Sequence, residues 1–199
     1  MKGLKTQLPP ELVELYQASV AHRKAHTCGG YSFEDGGGLF DLVHKLQPKR
    51  VLELGTALGY TAALFASAAP NCRIDTIDAD SVHVELARAN LKRLGFDQQV
   101  VVHAGDFQRV LSGLKQEYDL AFFDGFAPCV SIVALITDRV VSGGLLICGN
   151  MGLAPMSERQ QMTRNLNNGI TWEKIDSLEN GATLISRKVD LSSGTIPNC

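Results

Sequence analysis

Val51-Leu52-Glu53-Leu54-Gly55-Thr56-Ala57-Leu58-Gly59-Tyr60 reads as a short apolar strand, a glycine-bearing turn and the start of a helix. Gly55 and Gly59 carry no Cβ, so the backbone can come close to a ligand there and the helix can pack near the strand. Their spacing is G-x-x-x-G, without the further glycine of the G-x-G-x-x-G turn that accommodates a dinucleotide pyrophosphate. A nicotinamide oxidoreductase would share the sheet and should carry that glycine. By itself a glycine pair often serves turn geometry alone, so the neighbouring segments decide.

Around this turn strand and helix patterns alternate. Pro9-Pro10 opens a helix to about His26, with Leu12, Val13, Tyr16 and Val20 on one face, and Cys28-Gly29-Gly30 ends it. A second helix over 33–46 leads to the strand at Val51. After the turn come helix 60–69, strand 73–77, a helix 80–94 that stops at Gly95, strand 99–103, helix 107–114, strand 118–123, helix 131–141 and strand 145–148. Such alternation predicts parallel strands joined by right-handed crossovers. A helix over 157–168 follows, and strands 171–175 and 183–187, split by a stretch containing Gly181, predict a closing antiparallel hairpin. The expected fold is a single α/β domain over 1–188, Rossmann-like and doubly wound. Its seven-stranded sheet is mostly parallel with an antiparallel last strand, and helices cover both faces. Residues 1–31 form its N-terminal helical segment, and 189–199 a loose tail.

Four acids stand at the ends of successive strands. Asp78 closes the second strand about twenty residues beyond the glycine turn, where a carboxylate grips ribose hydroxyls; Asp80 beside it is better placed to cap the next helix. Gly105-Asp106 ends the third strand and Asp124 the fourth, and Glu53 lies in the first. In a doubly wound sheet these tips meet at the carboxyl edge, beside the switch point where ligands bind. A rim of carboxylates suits a cationic ligand rich in hydrogen-bonding groups better than a phosphate. S-Adenosylmethionine, with sulfonium, ammonium and ribose hydroxyls, is such a ligand.

These segments resemble the catechol and caffeoyl-CoA O-methyltransferase-like family over about 32–188. The likeness rests on Ser32-Phe33-Glu34-Asp35-Gly36, the strand and turn 51–60, Thr76-Ile77-Asp78-Ala79-Asp80, Gly105-Asp106, Phe122-Phe123-Asp124, Gly143-Gly144 and the closing run 179–188. The resemblance implies that Glu53, Gly55 and the loop Thr56, Ala57, Gly59, Tyr60 hold the methionine end of S-adenosylmethionine, Asp78 and Ala79 the ribose, and Gly105 with Asp106 the adenine. Asp124 borders both cofactor and acceptor, and Asp124 with Asn150 form the catalytic pair. The family also binds a divalent metal through two aspartates and an asparagine, with a lysine as base. Asp124 and Asn150 match, but Gly149 stands at the second aspartate and Ala127 at the lysine. The expectation is therefore no metal, or a weak and water-rich site, with Asp124 left to orient the acceptor hydroxyl or take its proton.

The remaining chemistry-bearing residues read more plainly. His22 and His26 are four apart on the first helix with Cys28 close behind, a spacing that suits solvated histidines better than a recognised metal pattern. His103 ends a central strand and is expected to be packed and hydrogen-bonded. Trp172 is core material. Five scattered cysteines, none spaced C-x-x-C, argue against a disulfide framework and a structural zinc site.

The chain has 199 residues, 45% of them hydrophobic, and a formal charge of −2, values that suit one domain. No signal-like or membrane-spanning segment appears, so a cytoplasmic location is expected. Dispersed basic residues argue against a nucleic-acid or membrane partner, although they leave a structured RNA substrate open. The expected partner is a small-molecule methyl acceptor, and a homodimer is compatible with the sequence. Two alternatives stand beside O-methylation: a non-catalytic protein binding S-adenosylmethionine or S-adenosylhomocysteine, and a methyltransferase acting on a tRNA base.

Overall fold

The computed structural model describes residues 7–26 and 32–190. Helices α1 (Pro10–His26) and α2 (Gly36–Leu46) precede β1 (Arg50–Leu54), and the alternation then runs α3 (Tyr60–Ala68), β2 (Arg73–Asp78), α4 (Ser81–Arg93), β3 (Val100–Ala104), α5 (Phe107–Gly113), β4 (Tyr118–Phe123), α6 (Val130–Thr137) and β5 (Val140–Cys148). After α7 (Met156–Asn165) the chain closes with β6 (Trp172–Leu178) and β7 (Thr183–Lys188). The seven strands form one sheet in the order β3-β2-β1-β4-β5-β7-β6. β1 to β5 are mutually parallel, and β7 runs antiparallel between β5 and β6. The last strand is thus the reversed one, and it forms the expected hairpin with β6.

Period-two alternation divides the core between the two faces. Val51, Ile74, Leu120, Phe122, Leu145 and Ile147 meet α1 to α4 on one side. Leu52, Leu54, Ala121, Phe123, Leu146 and Cys148 meet α5 to α7 on the other. α3 is buried on nearly every side, from Tyr60 to Ala66, because α1 and α2 cover the face that the sheet does not.

Several local readings shift. The buried stripe of α1 is Leu12, Leu15 and Ser19, with Val13 left 39% exposed, so the apolar face expected through Val13 and Val20 is rotated. Ser19 tolerates burial by donating its hydroxyl to the Leu15 carbonyl at 2.9 Å. α2 starts at Gly36 and not Phe33: Asp35 caps it, accepting from the Gly38 amide at 3.0 Å, and Phe33 instead packs edge-on against Phe122 in the core. α6 ends at Thr137 because Val140 already pairs with Tyr118, and the ladder resumes beyond an irregularity at Leu120–Leu145. Gly143 (φ 77°) and Gly144 lie inside β5, where a Cβ on Gly144 would stand 3.0 Å from the Asp119 carbonyl. β3, which carries His103, is an edge strand and not a central one. The expected helix end at Cys28-Gly29-Gly30 and the tail from 191 onward lie outside the described residues.

Candidate active site

The sheet reverses its winding between β1 and β4, and backbone bonds beyond the strand ends tie the tips together. The Gly55 amide donates to the Ile77 carbonyl, Asp124 N–H to Leu54 and Gly105 N–H to Asp78, each at 2.9 Å. Gly55 adopts φ 101°, and a Cβ there would lie 2.7 Å from the Asp124 carbonyl oxygen and 2.9 Å from the Gly125 nitrogen. The first requirement for glycine is therefore the close approach of the β1 and β4 exits. Gly59 opens α3 in the left-handed region (φ 85°), against Ala87 and Leu91 of α4.

Within the turn, Gly55 and Ala57 stay partly exposed while Thr56, Leu58, Gly59 and Tyr60 are buried. Asp78 is the strut: its Oδ2 accepts the Ala57 amide at 2.8 Å and its Oδ1 the Asp80 amide at 2.9 Å. As expected, Asp80 caps α4, taking the Val82 amide at 2.8 Å. Ala79 is exposed beside them. Asp106 is exposed and caps α5 through one oxygen, accepting from Gln108 and Arg109 amides at 2.9 and 3.2 Å; Gly105 precedes it at φ 147°. Tyr60 turns inward, its ring 5.3 Å from that of Tyr16, and burial pushes its phenol up to about 12.

Glu53 lies wholly under this surface at 0% exposure. It accepts hydroxyl bonds from Thr61 and, at 2.5 Å, from Thr76, and Thr76 in turn shares a 2.6 Å contact with Thr56. Removal from water raises its pKa to about 7, outweighing the two hydroxyls that favour the charged form, and the nearby Asp78 charge adds to the rise. Glu53 thus braces the turn from beneath.

Asp124 and Asn150 come together although they are far apart in sequence. Asn150, in the left-handed region at φ 57°, donates its amide to Asp124 Oδ1 at 3.2 Å and to the Gly125 carbonyl at 2.7 Å. Burial, then the Glu53 and Glu179 carboxyls, push Asp124 well above the ordinary carboxylate range, against the Asn150 bond. Glu179 also joins the two ends of the chain's core, accepting from the Glu34 amide at 3.0 Å and the Thr183 hydroxyl at 2.7 Å. No signal in the sequence singled it out as a neighbour of Asp124. A Cβ on Gly149 would stand 3.3 Å from Asp124 Oδ1, so this is where a second acidic metal ligand would sit, and glycine supplies no side-chain donor there. A pocket lined by Phe33, Gly55, Ala57, Tyr60 and Asp124 opens beneath the turn, and Ser19 and Ser32 close it from the N-terminal side.

The other histidines divide. His103 is bonded to Asp75 at 2.7 Å, and Asp75 also accepts from Tyr118 at 3.0 Å, so its role is packing and hydrogen bonding. His22 and His26 are not simply solvated, because His83 of α4 stands against both. Cys72, Cys129 and Cys148 are free. Among the described residues no helix is long and apolar enough to cross a membrane.

An acidic carboxyl edge beside a glycine turn lies at the switch point of a doubly wound α/β domain. The model of a family described as "Methyltransferase domain" matches residues 52–151, and the chain belongs to that family. A catechol O-methyltransferase of Niastella koreensis is 35% identical over 92 residues, covering 44% of this chain and 42% of that protein. The chain thus spans under half the length of this curated relative. A Podospora anserina methyltransferase crystallised with S-adenosylhomocysteine superposes with a TM-score of 0.78 at 19% identity, over 94% of this chain and 91% of that one. An O-methyltransferase of Streptomyces achromogenes involved in tomaymycin synthesis, in complex with S-adenosylmethionine, gives 0.77 at 21% identity, over 94% and 93%. These two likenesses establish the fold.

Proposed function

We propose that the protein is an S-adenosylmethionine-dependent O-methyltransferase acting on a small molecule of acidic hydroxyl type. The observation that carries this reading is the Asp124–Asn150 pair beside the glycine turn, with a buried carboxyl whose raised pKa suits it to take a proton. The resemblance to catechol O-methyltransferases supports the choice of oxygen as nucleophile.

S-Adenosylmethionine, when bound, supplies an electrophilic methyl group on a sulfonium. The residues present fit it. Each oxygen of Asp78 takes one backbone amide and keeps acceptor capacity for ribose hydroxyls. The free oxygen of Asp106 can receive an adenine amino group, with Gly105 and Ala79 beside it. Gly55 and Ala57 present backbone to the methionine end, with Thr56, Gly59, Tyr60 and Glu53 holding the turn in shape. The carboxyls of Glu53, Asp78 and Asp124 favour a cation among them.

Asp124 would accept the proton of the acceptor hydroxyl, and Asn150 holds its carboxyl in place. Side-chain oxygen donors for a hard divalent cation are few here: Asp124 and Asn150 remain, Gly149 has no side chain, and each oxygen of Glu179 already accepts one hydrogen bond. No step is assigned to a metal. An acidic phenol or enol needs the least help from a base, so such acceptors are favoured.

The test is transfer of a labelled methyl group to a panel of catechols, acidic phenols and enols, run with Asp124→Asn alongside. Transfer to a hydroxyl, lost in the variant, supports the reading; binding of cofactor without transfer to any member would reduce the protein to a binding module.

A further inference from the structure

Beyond the cofactor edge, three histidines from two helices meet. His22 and His26 occupy successive turns of α1 with ring centroids 4.8 Å apart, and His83, in the first turn of α4, brings its ring to 5.3 and 5.7 Å from them. One ring nitrogen from each lies within 4.8 Å of the other two. The Nε2 atoms of His22 and His83 are buried and have no hydrogen-bond partner. A buried polar atom left unpaired costs about 1–3 kcal/mol, and two such atoms in one cluster call for a ligand.

The back sides of two of the rings are occupied by carboxylates. His83 Nδ1 faces Asp78 Oδ2 at 3.6 Å, and His26 Nε2 faces Asp80 Oδ2 at 3.4 Å. The His26 contact is within hydrogen-bonding reach and favours hydrogen on Nε2, leaving the lone pair on Nδ1, as carboxylates behind metal-ligating histidines do; at 3.6 Å the His83 contact is a charge neighbour and not a hydrogen bond.

We propose that His22, His26 and His83 bind a divalent transition-metal ion, zinc being the one suited to three neutral imidazoles, and that this ion fastens α1 to α4. A tetrahedral zinc with bonds of about 2.0–2.1 Å spaces its ligand atoms roughly 3.4 Å apart, so small ring rotations close the site. His26 is exposed, which leaves the fourth position to water. Asp78 connects the ion to the cofactor turn, because the oxygen facing His83 is also the one that holds the Ala57 amide. The ion is structural in this scheme and takes no part in methyl transfer.

The test needs no cofactor and no substrate. Tag-free protein stripped with chelator is titrated with zinc by calorimetry, and then with cobalt as an optical probe. The site predicts one ion per chain at about micromolar affinity or tighter, a rise in Tm on zinc addition, and a visible cobalt spectrum of tetrahedral type. His26→Ala, an exposed position that should not disturb folding, and His22→Ala should each weaken zinc at least about tenfold. Absence of stoichiometric binding, binding unchanged in both variants, or a cobalt spectrum dominated by thiolate charge transfer would each overturn the proposal.

Discussion

The Ala57 amide donates to Asp78 Oδ2 at 2.8 Å, so the acid that ends β2 and the turn that follows β1 form a single unit. Any ligand gripping Asp78 is thereby registered against the turn, and any change at Asp78 is felt by both.

Gly55 is set by its neighbours before it is set by a ligand. At φ 101°, with a Cβ 2.7–2.9 Å from the backbone of Asp124 and Gly125, Gly55→Val combines backbone strain with overpacking. A loss of about 2–4 kcal/mol in urea unfolding is expected, together with loss of cofactor binding. Wild-type stability in the variant would mean that the two strand exits are less tightly apposed than described.

Glu53 makes folding stability depend on pH. Its folded pKa of about 7 lies above the ordinary 4.5, so the folded state holds the extra proton between those values. The stabilisation is complete below pH 4.5 and is lost as pH rises through 7, about 3 kcal/mol in order of magnitude. Glu53→Gln should flatten that part of the stability curve measured by denaturant unfolding from pH 5 to 8. Asp124, raised in the same direction, keeps a residual slope. Equal slopes for the two proteins would remove Glu53 as the cause.

Asp124 should appear in the pH dependence of turnover. A base works when deprotonated, and its pKa is raised by burial and by Glu53 and Glu179; kcat should therefore climb with pH above the ordinary carboxylate range. Asp124→Asn should lower kcat by roughly 10²–10⁴-fold with a smaller change in KM. A pH-independent rate, unchanged in the variant, would assign proton transfer elsewhere.

Metal dependence separates this chain from the pattern that it resembles. With Gly149 in place of an acid, methyl transfer after chelator treatment should persist, and magnesium or manganese added back should change it less than about twofold, since the carboxylate donors that hold such ions are missing. Full loss and recovery at micromolar metal would mean that other oxygen ligands complete a site around Asp124.

The sheet was legible because its signals are local: apolar strands of fixed period, glycine turns, and acids at strand ends that each cap or brace the next element. Asp78, Asp106 and Asp124 could be placed at the carboxyl edge from that pattern alone. The burial of Glu53 could not, because it depends on Thr61 and Thr76 arriving from α3 and β2. The second demand on Gly55, its approach to the β4 exit, is not legible either, because it is a contact with residues far along the chain. The histidine cluster was missed for the same reason: His22 and His26 announce a helical pair, but nothing local points from them to His83. The buried stripe of α1 depends on how the helix docks on α3, and its own weak amphipathicity did not settle the rotation.

The central claim is that the Gly55–Asp78 edge holds an S-adenosyl nucleoside, and calorimetry with S-adenosylhomocysteine, run beside NADH, tests it most directly. The account predicts saturable binding of S-adenosylhomocysteine, none of NADH, and an affinity weakened about ten- to a hundredfold in Asp78→Ala, equivalent to roughly 1.5–3 kcal/mol. Binding of NADH in preference, or S-adenosylhomocysteine affinity unchanged in a folded Asp78→Ala variant, would contradict it.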